Sequence, residues 1–126
     1  ERALTPALNY MTALCSGSSA AKTVTKAQDL LRLMGLLDLL FDALRSFSQC
    51  ITYSAPGRES DNRQRAAAEV CKMMYVLIER ACQGNGTNKR ALLPYVNVMQ
   101  SHLRLNIRSY AALVALYSGS AHLLEP

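Results

Sequence analysis

The sequence predicts an all-α protein, on three observations. Apolar residues recur at helical spacing along almost all of the 126-residue chain, no stretch of useful length alternates apolar and polar residues, and Gly and Pro together number only ten. Helical recurrence marks helices with one buried face. Strict alternation would mark half-buried strands, and a turn-rich sandwich would need more Gly and Pro. Half of the residues are apolar, enough for a core in a chain that should bury about two-thirds of its unfolded surface.

Leu4, Leu8, Met11 and Cys15 form the first stripe, with Pro6 in a first turn where its missing N–H is tolerated. Ser16-Gly17-Ser18-Ser19 reads as a loop. A second helix is expected from near Thr25, with Thr25 and Gln28 spaced as a capping box, and Gly35 marks its end or a kink. The third runs from Leu36 to about Tyr53, striped by Leu37, Leu40, Phe41, Leu44, Phe47 and Ile51. Ser54 to Ser60 is rich in helix breakers, and Asp61 with Gln64 resembles the cap of a fourth helix from about Asn62 to Gln83.

That fourth helix carries two apolar stripes: Ala67, Val70, Met74, Leu77 and Ala81 on one, and Cys71, Tyr75, Ile78 and Cys82 on the other. A helix apolar on two sides packs between neighbours. A fifth helix is expected over Lys89 to Leu103 with Pro94 in its early turns, and a sixth over Ile107 to Tyr117 with Tyr110, Leu113, Val114 and Tyr117 on one side. A last short turn holds His122, Leu123 and Leu124. About six helices on short loops suggest stacked antiparallel pairs of the armadillo or HEAT kind, with a closed bundle as the alternative. The expected core sets Leu37, Leu40, Phe41 and Leu44 against Val70, Met74 and Leu77.

Fourteen Lys and Arg face nine Asp and Glu, for a net charge of +5. The basic residues are dispersed, with small groups at Arg63/Arg65, Lys89/Arg90 and Arg104/Arg108, and there is no Trp. A nucleic-acid surface would interleave denser basic residues with aromatics, so solvated helix faces are the preferred reading. No apolar run nears the ~20 residues of a membrane-spanning helix. The greasiest stretch, Leu33 to Leu44, is interrupted by Asp38 and Asp42. The N-terminus lacks a basic-then-apolar leader. The chain starts at Glu1 rather than Met and stops at Glu125-Pro126. Residues 1–126 are accordingly expected to be one helical domain cut from something longer.

Cys15, Cys50, Cys71 and Cys82 form no C-x-x-C pair and have no His at finger spacing. They read as reduced, buried small hydrophobes, and no metal or cofactor is expected. Catalysis finds no constellation either. His102 and His122 lie outside any nucleophile-elbow context and read as surface histidines. Asp38 and Asp42 share a helix face with Arg45 nearby and read as a solvated polar face. The run Gly84-Asn85-Gly86-Thr87-Asn88-Lys89-Arg90 could offer backbone N–H groups and two cations to an anion. It departs from the phosphate-loop pattern, and a helix stop at Gly84 followed by an Asn or Thr cap accounts for it. Calcium-loop acidic spacing is absent.

Two segments, Ala27 to Leu44 with its Gln28-Asp29-Leu30-Leu31-Arg32-Leu33-Met34-Gly35 run, and Glu79 to Leu93 with Cys82-Gln83-Gly84-Asn85-Gly86-Thr87-Asn88, occur in order. Together they resemble the RIH domain of inositol trisphosphate receptors and ryanodine receptors. That family pairs a Q-x-L-L-R-x-M-G-type helix end with a later G-N-x-x-N turn. The resemblance spans about Lys26 to Leu105, and its most specific part is the turn of Gly84, Asn85 and Asn88. It implies an armadillo-like module in the cytosolic part of a homotetrameric calcium-release channel of the endoplasmic reticulum membrane, docked on neighbouring domains.

Where the family's ligand-binding copy carries basic residues, the matching positions are Thr25, Asp29 and Arg32, then Asn85, Gly86 and Thr87. Only Arg32 keeps its charge, so inositol trisphosphate is not expected to bind in that manner, and the wording resembles the second, central copy. The expected function is therefore a non-enzymatic scaffold that relays conformational change to the pore. The alternatives are a protein-interaction solenoid of an adaptor, a small helical enzyme, and an inositol phosphate binder that brings Arg32, Lys89 and Arg90 together.

Overall fold

A computed structural model describes residues 4–16, 21–53 and 58–118. Among them the chain is helical throughout: α1 Leu4–Leu14, α2 Ala21–Leu33, α3 Leu36–Tyr53, α4 Arg58–Cys82, α5 Gly86–Leu92, a 3₁₀ turn Leu93–Tyr95, α6 Val96–Ser101, a second 3₁₀ turn Leu103–Leu105, and α7 Ser109–Tyr117. The six predicted helical segments are all present, the fifth of them split. Helix α4 is the centre. It packs against α3 most extensively, then against α7 and α1, and touches α2 and α5.

Both predicted stripes of α4 are buried, and Cys71, Met74, Tyr75, Leu77, Ile78, Ala81 and Cys82 are sealed from solvent. The α3 residues Leu37, Leu40, Phe41 and Leu44 are buried in the same cluster as Val70, Met74 and Leu77, with Phe47 and Ile51 partly buried beside it. Gln64 donates to the Ile51 carbonyl near the α3–α4 loop, while Phe41 meets Tyr75 edge-on farther along, so the two helices run antiparallel. Leu8 of α1 and Cys15 just after it close the cluster.

Five local expectations are corrected. Helix α2 begins at Ala21 and α4 at Arg58, so Thr25 and Asp61 lie inside helices rather than capping them. Both Gln residues of the supposed caps serve tertiary contacts instead. The fifth predicted helix is broken because Pro94 has no N–H to donate, and the chain tightens to a 3₁₀ turn there. The last helix starts at Ser109, after Asn106 and Arg108 adopt left-handed backbone with φ of 55° and 73°. It buries Ser109, Ala112 and Leu116, while Tyr110 and Val114 face outward. Finally, Cys50 is exposed, whereas Cys15, Cys71 and Cys82 are buried. Burial pushes the Cys71 and Cys82 thiols up to about 12, which keeps them protonated and inert. Residues 17–19 and 54–57 of the predicted loops and the terminal turn with His122 lie outside the described residues.

Candidate functional site

Helix α4 ends where Gly84 takes a φ of +66°, a left-handed conformation in which a Cβ would be strained. Asn85 follows with φ −127° and caps α5, its Oδ1 accepting from the Asn88 N–H at 3.0 Å. The last turn of a helix leaves carbonyls without intrahelical partners, and here they are taken up by side chains from other elements. Gln28 Nε2, from α2, donates to the carbonyls of Arg80 at 2.9 Å and Gln83 at 2.7 Å. Asn88 Nδ2 donates to the carbonyls of Ala81 at 2.8 Å and Gln28 at 2.9 Å. Asn85 Nδ2 completes the ring, donating to Gln28 Oε1 at 3.3 Å and Asp29 Oδ1 at 3.0 Å. Gln28, Asn85 and Asn88 are buried. The two sequence segments that carry the family resemblance are thus clipped together across α2, α4 and α5.

Arg32 belongs to this clip. Its Nη1 donates to Asn88 Oδ1 at 2.6 Å and to Asp29 Oδ1 at 3.2 Å. The Asp29 carboxyl is held below the ordinary carboxylate range, first by the Asn85 amide and then by Arg32. Lys89 is buried and reaches the other way, its Nζ donating to the Ser118 carbonyl at 2.6 Å beyond the end of α7, where a cation also complements the helix dipole. Arg90 is exposed. Of the three candidate anion-binding residues, Arg32 and Lys89 thus serve partners on different helices.

A second polar cluster lies on α4 two turns earlier. The Tyr75 hydroxyl meets His102 Nδ1 at 2.6 Å, and both residues are buried. The expectation of a surface histidine at position 102 is therefore overturned; α6 ends there, and the ring turns inward against Tyr75. Burial lowers the His102 pKa and raises that of Tyr75, so the ring is neutral and the hydroxyl keeps its proton. Nδ1 then accepts from the hydroxyl, because the opposite tautomer would strand the Tyr75 proton in the core.

Beside His102 lies a pocket of about 350 Å³ whose wall includes Arg45 and Arg104. The Arg45 guanidinium also lies over the ring of Tyr95, which stacks on Phe41 with centroids 4.2 Å apart and donates to Asp38. Asp42 pairs with Arg45 at 3.5 Å, in an exposed position. Nothing local in the sequence marks this cluster, whose members come from α3, α4, the 3₁₀ turns and α6. No group of acidic, His and Cys residues able to hold a metal ion occurs among the described residues, and none of their helices is long and apolar enough to cross a membrane.

Comparison with known families matches the model of the RIH domain to residues 9–125. This is wider than the stretch that carries the visible resemblance, and it takes in the second half of α1 and all of α7 as well as the clip. No curated protein and no solved structure matches the chain.

Proposed function

The chain belongs to the RIH domain family, and from that premise we propose that it is a non-enzymatic helical scaffold in the cytosolic part of a tetrameric intracellular calcium-release channel of the inositol trisphosphate receptor kind. Its task would be to pass small rigid-body shifts from an effector-binding end towards the pore, on the cytosolic face of the endoplasmic reticulum membrane, against neighbouring domains of the parent. The carrying observation is the clip. Its signature amides close one another and the end of α4, so they lock three helices into one body. A relay needs such bodies, because packed interfaces shift between discrete arrangements rather than bending.

The same geometry supports the expectation that inositol trisphosphate is not the ligand of this turn. Several phosphates need several cations at once, and Arg32 and Lys89 are engaged with separate intrachain partners. Calorimetric titration of the chain with inositol trisphosphate, at low and physiological salt, should give no saturable heat that depends on Arg32 or Arg90. Saturable binding at physiological salt that disappears in Arg32→Ala and in the exposed Arg90→Ala would overturn this part. In a parent channel, Gln28→Leu should shift the effector concentration for half-maximal calcium release with effector affinity unchanged; an unaltered release curve would sink the relay.

A further inference from the structure

We infer that the pocket beside His102 is a binding site for a phosphate monoester group of a small molecule, held by Arg45, Arg104 and the His102 ring. Three observations carry it, none of which depends on the channel reading or involves the Gly84–Asn88 turn.

The first is the ring itself. Its Nδ1 is fixed by the buried Tyr75 hydroxyl, which leaves the second nitrogen, Nε2, as an N–H donor. Among the described residues, the buried side-chain polar atoms without a partner are Arg108 Nε and Ser109 Oγ. Among the described residues Nε2 has no hydrogen-bond partner and is not one of these buried atoms, and its ring lines the pocket. A donor whose orientation is fixed by a core hydrogen bond is what a built site supplies and a chance surface groove does not.

The second is charge. Arg45 from α3 and Arg104 from the 3₁₀ turn after α6 flank the ring, and no carboxylate lines the pocket. Among the described residues no acidic group pairs with Arg104; Arg45 is held only by the exposed Asp42 and by the Tyr95 ring. The field of Arg45 reaches His102, where it adds to burial in disfavouring the imidazolium. Two guanidiniums and an oriented N–H match a dianion with three oxygens better than a carboxylate with two.

The third is size and lining. About 350 Å³ lies near the lower end of the ~300–1,000 Å³ typical of small-molecule sites, which leaves room beyond a bare phosphate. Val98 and Leu105 give it an apolar wall and Gln49 a further amide. The two serines there already donate to carbonyls of their own helices, Ser48 to Arg45 and Ser101 to Val98, and so add no donor.

The test is an NMR titration of the 126-residue chain with inorganic phosphate at constant ionic strength, read on the His102 ring. Acetate serves as the carboxylate arm and Arg104→Gln as the variant. Arg104 is exposed and supports no packed element, so the variant folds, and its melting temperature verifies this. Saturable shifts at millimolar phosphate are expected, with acetate at least several-fold weaker and affinity down about tenfold in Arg104→Gln, the loss of one charged hydrogen-bonding partner. Bound phosphate should also raise the pH at which the ring titrates, against the opposing effects of Tyr75 from α4, Arg45 from α3 and Arg104 beside it. A response that never saturates, that acetate matches, or that Arg104→Gln leaves intact would overturn the assignment.

Discussion

Two polar clusters sit on α4 about two turns apart, and they are finished in opposite ways. In the clip, Gln28, Asn85 and Asn88 spend their amides on one another and on the end of α4, with Arg32 and Asp29 closing the outer side. In the histidine cluster the inner nitrogen of the ring is closed by Tyr75, and the ring lines a pocket with two arginines. Neighbouring charges in the sequence, such as Lys89 and Arg90, do not make a site, because the helix sends Lys89 to the end of α7 and leaves Arg90 in solvent. Charges far apart in the sequence make the more open one. A satisfied polar network rigidifies, and a half-satisfied one either binds something or costs stability.

The sharpest way to break this contrast is to remove what both clusters stand on. Leu40 is buried in the common core and faces Met74 and Leu77 across one small cavity. Leu40→Ala should cost about 2–5 kcal/mol, read as a lower melting temperature with the signals of both clusters lost in one transition. An unchanged melting temperature would remove the core assignment. Two separate transitions would show that the clip and the histidine cluster belong to different cooperative units.

Next in size is the clip alone. Asn88→Ala removes both amide donations, stranding the Ala81 carbonyl at the buried end of α4 and taking a second partner from the Gln28 carbonyl, which keeps its bond within α2. At about 1–3 kcal/mol for the stranded carbonyl and about 1 kcal/mol for the second hydrogen bond, the loss should be about 2–4 kcal/mol. Its neighbour Arg90→Ala should stay within about 0.5 kcal/mol, as an exposed substitution. Denaturant unfolding of the pair tests the claim, and equal costs would mean that the turn is a local cap rather than a tertiary clip. The network should also loosen in acid. Asp29 has its carboxyl pKa lowered in the folded state, so its contribution is present above the unfolded value near 3.8 and is lost as pH falls through the folded one.

How far the sequence shows this depends on the range of each interaction. Stripes with helical period are local, and they place Leu36–Tyr53 and both faces of α4 correctly. The stop at Gly84 and the Asn85 cap are local as well. Gln28 has the spacing of a cap residue relative to Thr25, yet its partners are 52 to 57 residues away. No local rule ranks that pairing above the capping box. Pro94 announces a break, but an apolar period running on through Val96 and Met99 disguises it as one helix. His102 is hardest, because an imidazole beside polar and charged neighbours looks solvated until the fold puts a tyrosine hydroxyl under it.

Among the buried substitutions, the one with the smallest expected effect is the most informative about the open cluster. Tyr75→Phe keeps the edge-on packing on Phe41 and deletes only the hydroxyl that meets His102 Nδ1. The buried nitrogen left without a donor should cost about 1–2 kcal/mol. The cost should depend on pH in a set direction. In the wild type, His102 has a folded pKa below its ordinary 6.5. The unfolded chain therefore binds more protons in that interval, and stability falls as pH drops from about 6.5 to the folded value. Burial and then Arg45 cause that depression; a hydroxyl that donates to the neutral ring should add to it, so the variant's folded pKa should move back towards 6.5 and its acid loss should shrink. Unfolding free energies at about pH 8 and about pH 5 should then show a larger penalty for Tyr75→Phe at the higher pH. A penalty equal at both would mean that the hydroxyl does not hold the neutral ring, and that the outer nitrogen is not the fixed donor the pocket requires.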